Sequence, residues 1–411
     1  MYETVTDETL QGCGQLRKVF RLLERLRESG TERDRAGNRE LLFSQYAGLV
    51  LLSLFNPAMQ SVRGLSDASA LKRVKKRLGG GRVSVGSLSE SVRVFDPELL
   101  EPLIAELLRK LPPEHVGPGP RRRLSETIPE ELARKLTAVD GSVLRALPQI
   151  VNAVGRGRES KWRVHLQFQV LRGTPETLTL RPDGGGGENE ERNVLAERLA
   201  AGKVYLADSG YERYALFEHI VQAGSDYVIR CQSRPVNVLE ERVVTAEGAA
   251  ARVVSDQIVQ LGRSRTGRCG GVGAVRHPVR KVVIAGRGQG RKRTDYSNPE
   301  TIILLTSLLD VPAEVLAAIY SLRWSIELFF RFLKHVLGCR RLISHKPEGV
   351  TIQVYCALIA CLLLARATGR NINRRAFNLV CLYLQGWADE GELIEGLTRM
   401  GALAGPSKTS S

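Results

Sequence analysis

The order of strands and helices predicted along the chain constrains its fold most strongly. Near residue 134 the helical period of the first part gives way to the alternation typical of β-strands. From there the pattern predicts three consecutive strands, then a helix, a strand, a helix and a strand, which is typical of a mixed α/β sheet. The predicted strands cover residues 135–144, 164–171, 176–181, 204–208 and 226–232.

Regions of different composition flank and interrupt this predicted sheet. Residues 1–123 predict a helical N-terminal region that ends in a linker rich in Pro, Gly and Arg. Residues 124–345 predict the core, which an inserted β subdomain interrupts at about residues 232–297, where the strand and helix rhythm breaks and cations dominate. Residues 346–411 predict a C-terminal helical region with a disordered tail.

The chain is strongly basic, with 60 Lys and Arg residues against 44 Asp and Glu residues and a formal charge of +16. This balance predicts a polyanionic partner, nucleic acid first and an anionic membrane surface second. The apolar runs at residues 47–55 and 357–365 are too short to span a bilayer, and the polar N-terminus is not a secretory signal. Seven cysteines without a CxxC motif favour reduced thiols. We therefore predict a cytoplasmic protein that does not enter the membrane.

A stretch near residue 327 combines one carboxylate with several cations at helical spacing. If residues 320–334 form one α-helix, with about 100° between successive residues, the polar side chains share one stripe and the apolar ones face away. A carboxylate beside cations suits a group that holds a metal while its neighbours hold phosphates. The alternative is a solvated face with ion pairs between successive turns. The stripe consists of Tyr320, Arg323, Glu327, Arg331 and Lys334.

Two further acids stand where predicted core strands end. Asp140 and Asp208 occupy these positions, and Glu327 is the acid of the helical stripe. Phosphodiester chemistry commonly uses two divalent ions about 3.5–4 Å apart, and Mg²⁺ prefers carboxylate oxygens and water as ligands. An acid at a strand end is by itself an ordinary loop residue. The two aspartates and the stripe together indicate a metal site far more specifically than any one of them.

The spacing of these residues resembles that of bacterial insertion-sequence transposases of the IS-four group, within the DDE superfamily. Their helix signature is a Tyr, two residues, an Arg, three residues, a Glu, six residues and a Lys, and every spacing is matched. The sequences Val-Asp-Gly-Ser at 139–142 and Ala-Asp-Ser-Gly-Tyr at 207–211 resemble the first and second acidic motifs. The resemblance extends from about residue 40 to about residue 385.

This resemblance implies a fold, an activity and partners. The fold is a ribonuclease-H-like mixed α/β sheet core with an inserted β subdomain, flanked by N- and C-terminal helical regions. The activity is metal-dependent DNA cleavage at terminal inverted repeats and strand transfer into target DNA, through a hairpin intermediate. Asp140, Asp208 and Glu327 would be the catalytic residues and would bind two Mg²⁺ or Mn²⁺ ions. The partners are double-stranded DNA, as transposon ends and target, and a second copy in a homodimeric synaptic complex at the bacterial nucleoid.

Residues that contact DNA are expected in three groups. Three residues of the helix signature would grip phosphates beside the cut, and two neighbours would hold the distorted DNA end. A core position is an equal alternative for the tryptophan among them. A basic helix in the N-terminal region and a basic loop in the insertion are further candidates, with plain solvated surface as the alternative for both. The residues are Tyr320, Arg323, Trp324, Arg331 and Lys334 on the helix, Lys72, Arg73, Lys75 and Lys76 in the N-terminal region, and Arg291, Lys292 and Arg293 in the loop.

Two alternatives to a transposase remain open from the sequence. The first is a catalytically inactive or repurposed DNA-binding protein, and the intact set of three acids speaks against it. The second is a nuclease of the same fold that cuts DNA without joining it. Divalent-ion-dependent nicking separates the first alternative from a transposase, and joined products separate the second.

Overall fold

The computed structural model of the chain describes residues 22–27, 40–56, 59–111, 127–145, 161–182, 187–232, 236–262, 275–286, 301–335, 337, 339, 342–368 and 374–399. The predicted linker after residue 111 and the predicted tail lie outside these residues. The same holds for the basic loop of the insertion, with Arg291, Lys292 and Arg293.

The N-terminal region is helical. Serine side chains cap two of its helices: Ser61 Oγ accepts a hydrogen bond from Gly64 N at 2.9 Å, and Ser84 Oγ accepts one from Ser87 N at 3.0 Å. The first helix is almost wholly buried, whereas the third is basic and buries none of its residues. The helices are α1 (Phe43–Phe55), α2 (Val62–Ser69), α3 (Lys72–Leu78), α4 (Val85–Ser91) and α5 (Glu101–Arg109), with a 3₁₀ turn (Pro97–Leu100) before the last.

The core of the described chain is one mixed sheet. Its strands are β1 (Leu136–Arg145), β2 (Lys161–Gln169), β3 (Thr174–Arg181), β4 (Val204–Ala207), β5 (Asp226–Cys231), β6 (Asn237–Glu241), β7 (Val253–Gln260), β8 (Val279–Ala285) and β9 (Thr301–Thr306). Among the described residues these nine strands follow the order β3-β2-β1-β4-β5-β9-β8-β7-β6.

The first five strands have the ribonuclease-H-like arrangement. β1, β2 and β3 form an antiparallel meander, and β4 and β5 run parallel to β1. This confirms the predicted mixed α/β core. The inserted strands β6, β7 and β8 follow β5 in the chain, and β9 joins them antiparallel to β5. The insertion therefore extends the same sheet.

Helices cover both faces of this sheet and continue beyond it. They are α6 (Glu130–Lys135), α7 (Glu188–Glu197), α8 (Tyr214–Gln222), α9 (Ala246–Ala250), α10 (Ala313–Ser321), α11 (Trp324–His335), α12 (Pro347–Thr368), α13 (Arg374–Leu384) and α14 (Glu390–Arg399).

Successive residues along each strand point to opposite faces of the sheet, so the sheet separates two apolar cores. On one face Ala138 and Leu206 belong to the same cluster as Ile326 of α11. On the other face Val139 and Tyr205 cluster with apolar residues of α7 and α8. Asp140 follows the alternation of Ala138, so it belongs to the face on which α11 lies, and α11 packs against β1.

The prediction of one continuous α-helix through residues 320–334 was wrong. α10 ends at Ser321 and α11 begins at Trp324, with a tight turn between them. In this turn Arg323 N donates to Tyr320 O at 3.1 Å and Ser325 N donates to Leu322 O at 3.0 Å, which are the i to i−3 bonds of a 3₁₀ turn. The turn contains neither Gly nor Pro, so no local breaker marks it in the sequence.

α12 is a long apolar helix that packs against helices of the N-terminal region. Residues 347–365 form a helical stretch that is long and apolar enough to cross a membrane. The apolar run at residues 357–365, which was judged too short to span a bilayer, is only part of this stretch. However, 89% of the most apolar window is buried inside the protein, where α12 packs against α1, α5 and β3. This burial is that of a core helix.

Candidate active site

The two predicted aspartates lie side by side on neighbouring strands. Asp208 directly follows β4, as predicted, but Asp140 lies in the middle of β1, because β1 continues to pair with β2 as far as Arg145. β1 and β4 are parallel, and extending their register by two residues places Asp140 opposite Asp208. Neighbouring strands are about 4.8 Å apart. Asp140 Oδ1 accepts a hydrogen bond from Gly141 N at 2.8 Å. Asp208 Oδ1 accepts one from Gly210 N at 2.9 Å and caps the short 3₁₀ turn that follows β4.

The proximity of the two carboxylates perturbs the ionisation of one of them. Burial and the negative charge of Asp208 together raise the pKa of Asp140 to about 7. The N–H of Gly141 and the positive charge of Arg323 act in the opposite direction. A carboxylate held near such a neighbour is stabilised by a proton or by a metal cation.

The third predicted acid is connected to this pair through Arg323. Arg323 Nη2 donates to Glu327 Oε1 at 2.5 Å, across one turn of helix. The same guanidinium lies 6.0 Å from the centre of the Tyr320 ring and is close enough to Asp140 to lower its pKa. Burial is the main cause of the raised pKa of Tyr320, and the negative charge of Asp208 also raises it. Three of the four signature residues, Tyr320, Arg323 and Glu327, thus lie near the aspartate pair or are connected to it through Arg323.

Lys334 lies farther along the same face, beside β1. Its Nζ donates to Ser142 Oγ at 2.6 Å, so the lysine stands next to the strand that carries Asp140. Arg331 is exposed on α11. Trp324 is 52% exposed, which excludes the alternative of a core aromatic. The side chains at both ends of α11 are therefore within reach of a ligand lying along this helix.

The donor chemistry of the site fits a divalent cation. Among the described residues, no group of three or more His, Cys, Asp and Glu side chains is close enough to hold a metal ion as placed. Glu327 is engaged by Arg323, while Asp140 and Asp208 face each other. Two adjacent carboxylates, one of them partly buried with a raised pKa, offer the oxygen ligands that Mg²⁺ and Mn²⁺ prefer.

A fourth acid near Asp140 was missed in the sequence. Glu191 of α7 is 8% exposed and forms an ion pair with Arg163 of β2. Its carboxylate covers Gly141: a Cβ at that position would lie 2.3 Å from Glu191 Oε1. The charge of Glu191 also contributes to the raised pKa of Asp140. Several glutamates open α7, and only the fold identifies which of them faces the site.

The basic candidates outside the core form a separate surface. α3 presents Lys72, Arg73 and Lys76 to solvent, while Lys75 is half-buried. The helix contains no acidic residue, and three of its cations lie in its last turn. The structure thus places three of the four predicted cations on an accessible surface.

The antiparallel meander followed by two parallel strands belongs to the ribonuclease-H-like class of folds. Residues 131–363 match the family described as Transposase DDE domain, and the chain belongs to this family. The matched segment begins in α6, includes the whole sheet and ends in α12, so it contains all three predicted acids.

Relatives named as transposases resemble part of this chain. The y4zB protein of Sinorhizobium fredii, named as a transposase, is 28% identical over 221 residues, which are 53% of this chain and 57% of that protein. The transposase named for element IS5377 of Geobacillus stearothermophilus is 30% identical over 200 residues, 48% of this chain and 46% of its own. The chain thus aligns with about half the length of these relatives. A piggyBac transposase synaptic complex with hairpin DNA superposes over 99% of this chain and 88% of its own, at 11% identity and a TM-score of 0.44.

The raised pKa of Asp140 predicts a specific pH dependence of stability in the absence of metal. Its carboxyl ionises at about 3.8 when unfolded and at about 7 in the folded protein, so the wild type loses stability as the pH rises between these values. We expect Asp140→Asn to stabilise the protein by about 2 kcal/mol at pH 8 and by under about 0.5 kcal/mol at pH 4. Urea unfolding in EDTA at both pH values measures this difference. Asp67→Asn, at an exposed position of α2, is the matched control, and an equal gain at both pH values would contradict the assignment.

Proposed function

We propose that this protein is a transposase that cleaves DNA at the terminal inverted repeats of its element and joins the ends to target DNA. The observation that carries the proposal is the placement of Asp140 opposite Asp208, with Glu327 connected to them through Arg323. Membership of the DDE transposase family supports it. The net charge of +16 supports a nucleic-acid substrate.

Asp140, Asp208 and Glu327 are the proposed metal ligands and catalytic residues. Two Mg²⁺ or Mn²⁺ ions held there would polarise the scissile phosphate and lower the pKa of a bound water. Glu327 is bound to Arg323 in this structure, so ligation requires its carboxylate to exchange that partner. The released guanidinium would then be available to a DNA phosphate, for which its planar fork is suited.

The remaining signature side chains are proposed to hold the DNA end. Lys334 and Arg331 supply positive charge along α11, and Tyr320 can donate a hydrogen bond to a phosphate. Trp324 is exposed where α11 begins and offers an aromatic face to a base. α3 is proposed as a second, sequence-independent phosphate contact.

Finer features of the reaction follow from the family resemblance. We propose that the cut end passes through a hairpin and that two copies of the chain assemble on paired ends. We also propose action at the bacterial nucleoid, in the cytoplasm. Each of these depends on the DNA-cleaving activity proposed above.

A cleavage and joining assay tests the proposed function. The substrate is linear DNA containing the sequences that flank the coding region, incubated with the protein and supercoiled target DNA, with Mg²⁺ or with EDTA. We expect nicks at the element ends and joined products in Mg²⁺ alone, because the chemistry requires the metal. Cleavage without joining would support the nuclease alternative, and binding without cleavage would support the DNA-binding alternative.

A further inference from the structure

A buried ion pair in the insertion holds the chain just before the helices of the active site. Arg280 of β8 and Asp256 of β7 are 4% and 5% exposed. Their contact is bidentate: Arg280 Nε donates to Asp256 Oδ1 at 2.8 Å, and Arg280 Nη2 donates to Asp256 Oδ2 at 2.7 Å. Such a planar fork fixes the orientation of the guanidinium.

The third nitrogen of this guanidinium reaches the segment between β9 and α10. Arg280 Nη1 donates to Leu309 O at 2.8 Å and also to Val311 O. All three nitrogens of the guanidinium therefore have protein acceptors, and two of these acceptors are backbone carbonyls. These carbonyls precede Pro312, the N-cap of α10, so the contact fixes where the helix starts.

A second arginine of the insertion strengthens this connection. Arg242, which follows β6, donates through Nη1 to Leu309 O at 2.5 Å. Its backbone N donates to Asp256 O at 2.9 Å. α10 also packs directly on β7 and α9 of the insertion. We call the group of Arg242, Asp256 and Arg280 the insertion clamp.

The clamp contacts the polypeptide close to the site residues. α10 carries Tyr320 near its end, and the tight turn after it leads into α11 with Glu327. A shift at the start of α10 would therefore be carried along this helix to Tyr320, and through the hydrogen-bonded turn after it to Glu327 on α11. By contrast, Asp140 and Asp208 belong to β1 and the end of β4, which the clamp does not contact.

We propose that Arg280 is a positioning residue that sets the distance of Glu327 and Tyr320 from the aspartate pair. The proposal rests on the function proposed above. It assigns to the insertion a role in assembling the active site, through four hydrogen bonds donated by one buried side chain. The functional signature of such a residue is a loss of turnover and metal affinity that exceeds any loss of folding.

Arg280→Lys is the first test, because lysine keeps the positive charge but lacks the planar guanidinium that donates these hydrogen bonds in fixed directions. We expect hydrogen exchange, followed by mass spectrometry, to accelerate in peptides covering α10 and α11. At saturating DNA we expect cleavage to slow by about tenfold to a hundredfold, with DNA affinity unchanged, as small misplacements of reacting groups produce. Mn²⁺ affinity, measured by calorimetry, should fall by about tenfold.

Arg252→Lys is the matched control. Arg252 also belongs to the insertion, and its Nη2 donates to a backbone carbonyl, Gly286 O, at 2.7 Å. That contact is at the end of β8 opposite Arg280 and does not involve the segment before α10, so exchange in α10 and α11 and cleavage should both remain at the wild-type level.

A double variant separates positioning from stability. Replacing a buried ion pair by apolar residues commonly preserves folding, so Asp256→Leu with Arg280→Met should unfold at nearly the wild-type temperature. We expect its cleavage to remain slow, because Val311 O has lost its donor and Leu309 O keeps only the one from Arg242. Wild-type cleavage in this variant, or unchanged exchange in α10 and α11 of Arg280→Lys, would overturn the proposal. Accelerated exchange with no cleavage by the wild type would instead contradict the proposed function and support the physical connection between insertion and helices.

Discussion

Replacing Asp208 by asparagine is expected to lower the rate of DNA cleavage by roughly a thousandfold or more. The substitution preserves the size of the side chain and can preserve the hydrogen bond from Gly210, but it removes a negatively charged ligand. Asp140→Asn and Glu327→Gln should have effects of the same order, because all three are proposed to hold the same pair of ions. Single-turnover cleavage of end-containing DNA measures the rate.

DNA binding provides the internal check on these variants. Removing a carboxylate from a site that meets phosphates should leave the affinity for end DNA unchanged or slightly higher. Glu395→Gln, at an exposed position of α14, is the matched control and should cleave at the wild-type rate. If any one of the three variants cleaves normally, that residue is not a metal ligand.

Removing positive charge from α3 should cause the second large loss, in DNA affinity. Lys72, Arg73 and Lys76 are exposed, and each phosphate contact contributes through counterion release. We expect the triple change to Gln to weaken binding by roughly a hundredfold at about 0.15 M salt. The slope of log affinity against log salt should become shallower by about 2.7. Fluorescence anisotropy over a range of salt concentrations measures both quantities.

A control of equal charge is available in the C-terminal helices. Arg374, Arg375 and Arg399 are also exposed, and changing them to Gln removes the same net charge without altering α3. A general electrostatic effect would weaken binding in both triple variants alike. Loss confined to the α3 variant identifies this helix as a DNA contact, and an unchanged salt slope in that variant would contradict the assignment.

The sequence predicted the sheet and the aspartate pair because both follow from local patterns. Alternation marks the strands, and the resemblance to the two acidic motifs led to the expectation that Asp140 and Asp208 meet. The position of Asp140 within β1, and not at its end, was not predicted, because the strand continues by pairing with β2. The insertion was visible as a change of composition, although its continuation of the same sheet depends on the pairing of β9 with β5, which no local pattern encodes.

Other features of the site depend on contacts that are distant in sequence or made to the backbone. The turn between α10 and α11 has no Gly or Pro, so the spacing of the signature suggested one unbroken helix. Glu191 is one of several glutamates in α7, and its position over Gly141 arises from packing. The acceptors of Arg280 include two carbonyls, which have no side-chain signal in the sequence.

Anomalous diffraction from crystals grown with an end-containing DNA and Mn²⁺ tests the account most directly. We predict two manganese peaks about 3.5–4 Å apart, with oxygens of Asp140, Asp208 and Glu327 as ligands and Arg323 moved away from Glu327. Manganese bound elsewhere, with Glu327 still paired to Arg323 and no metal on the two aspartates, would contradict the proposed active site.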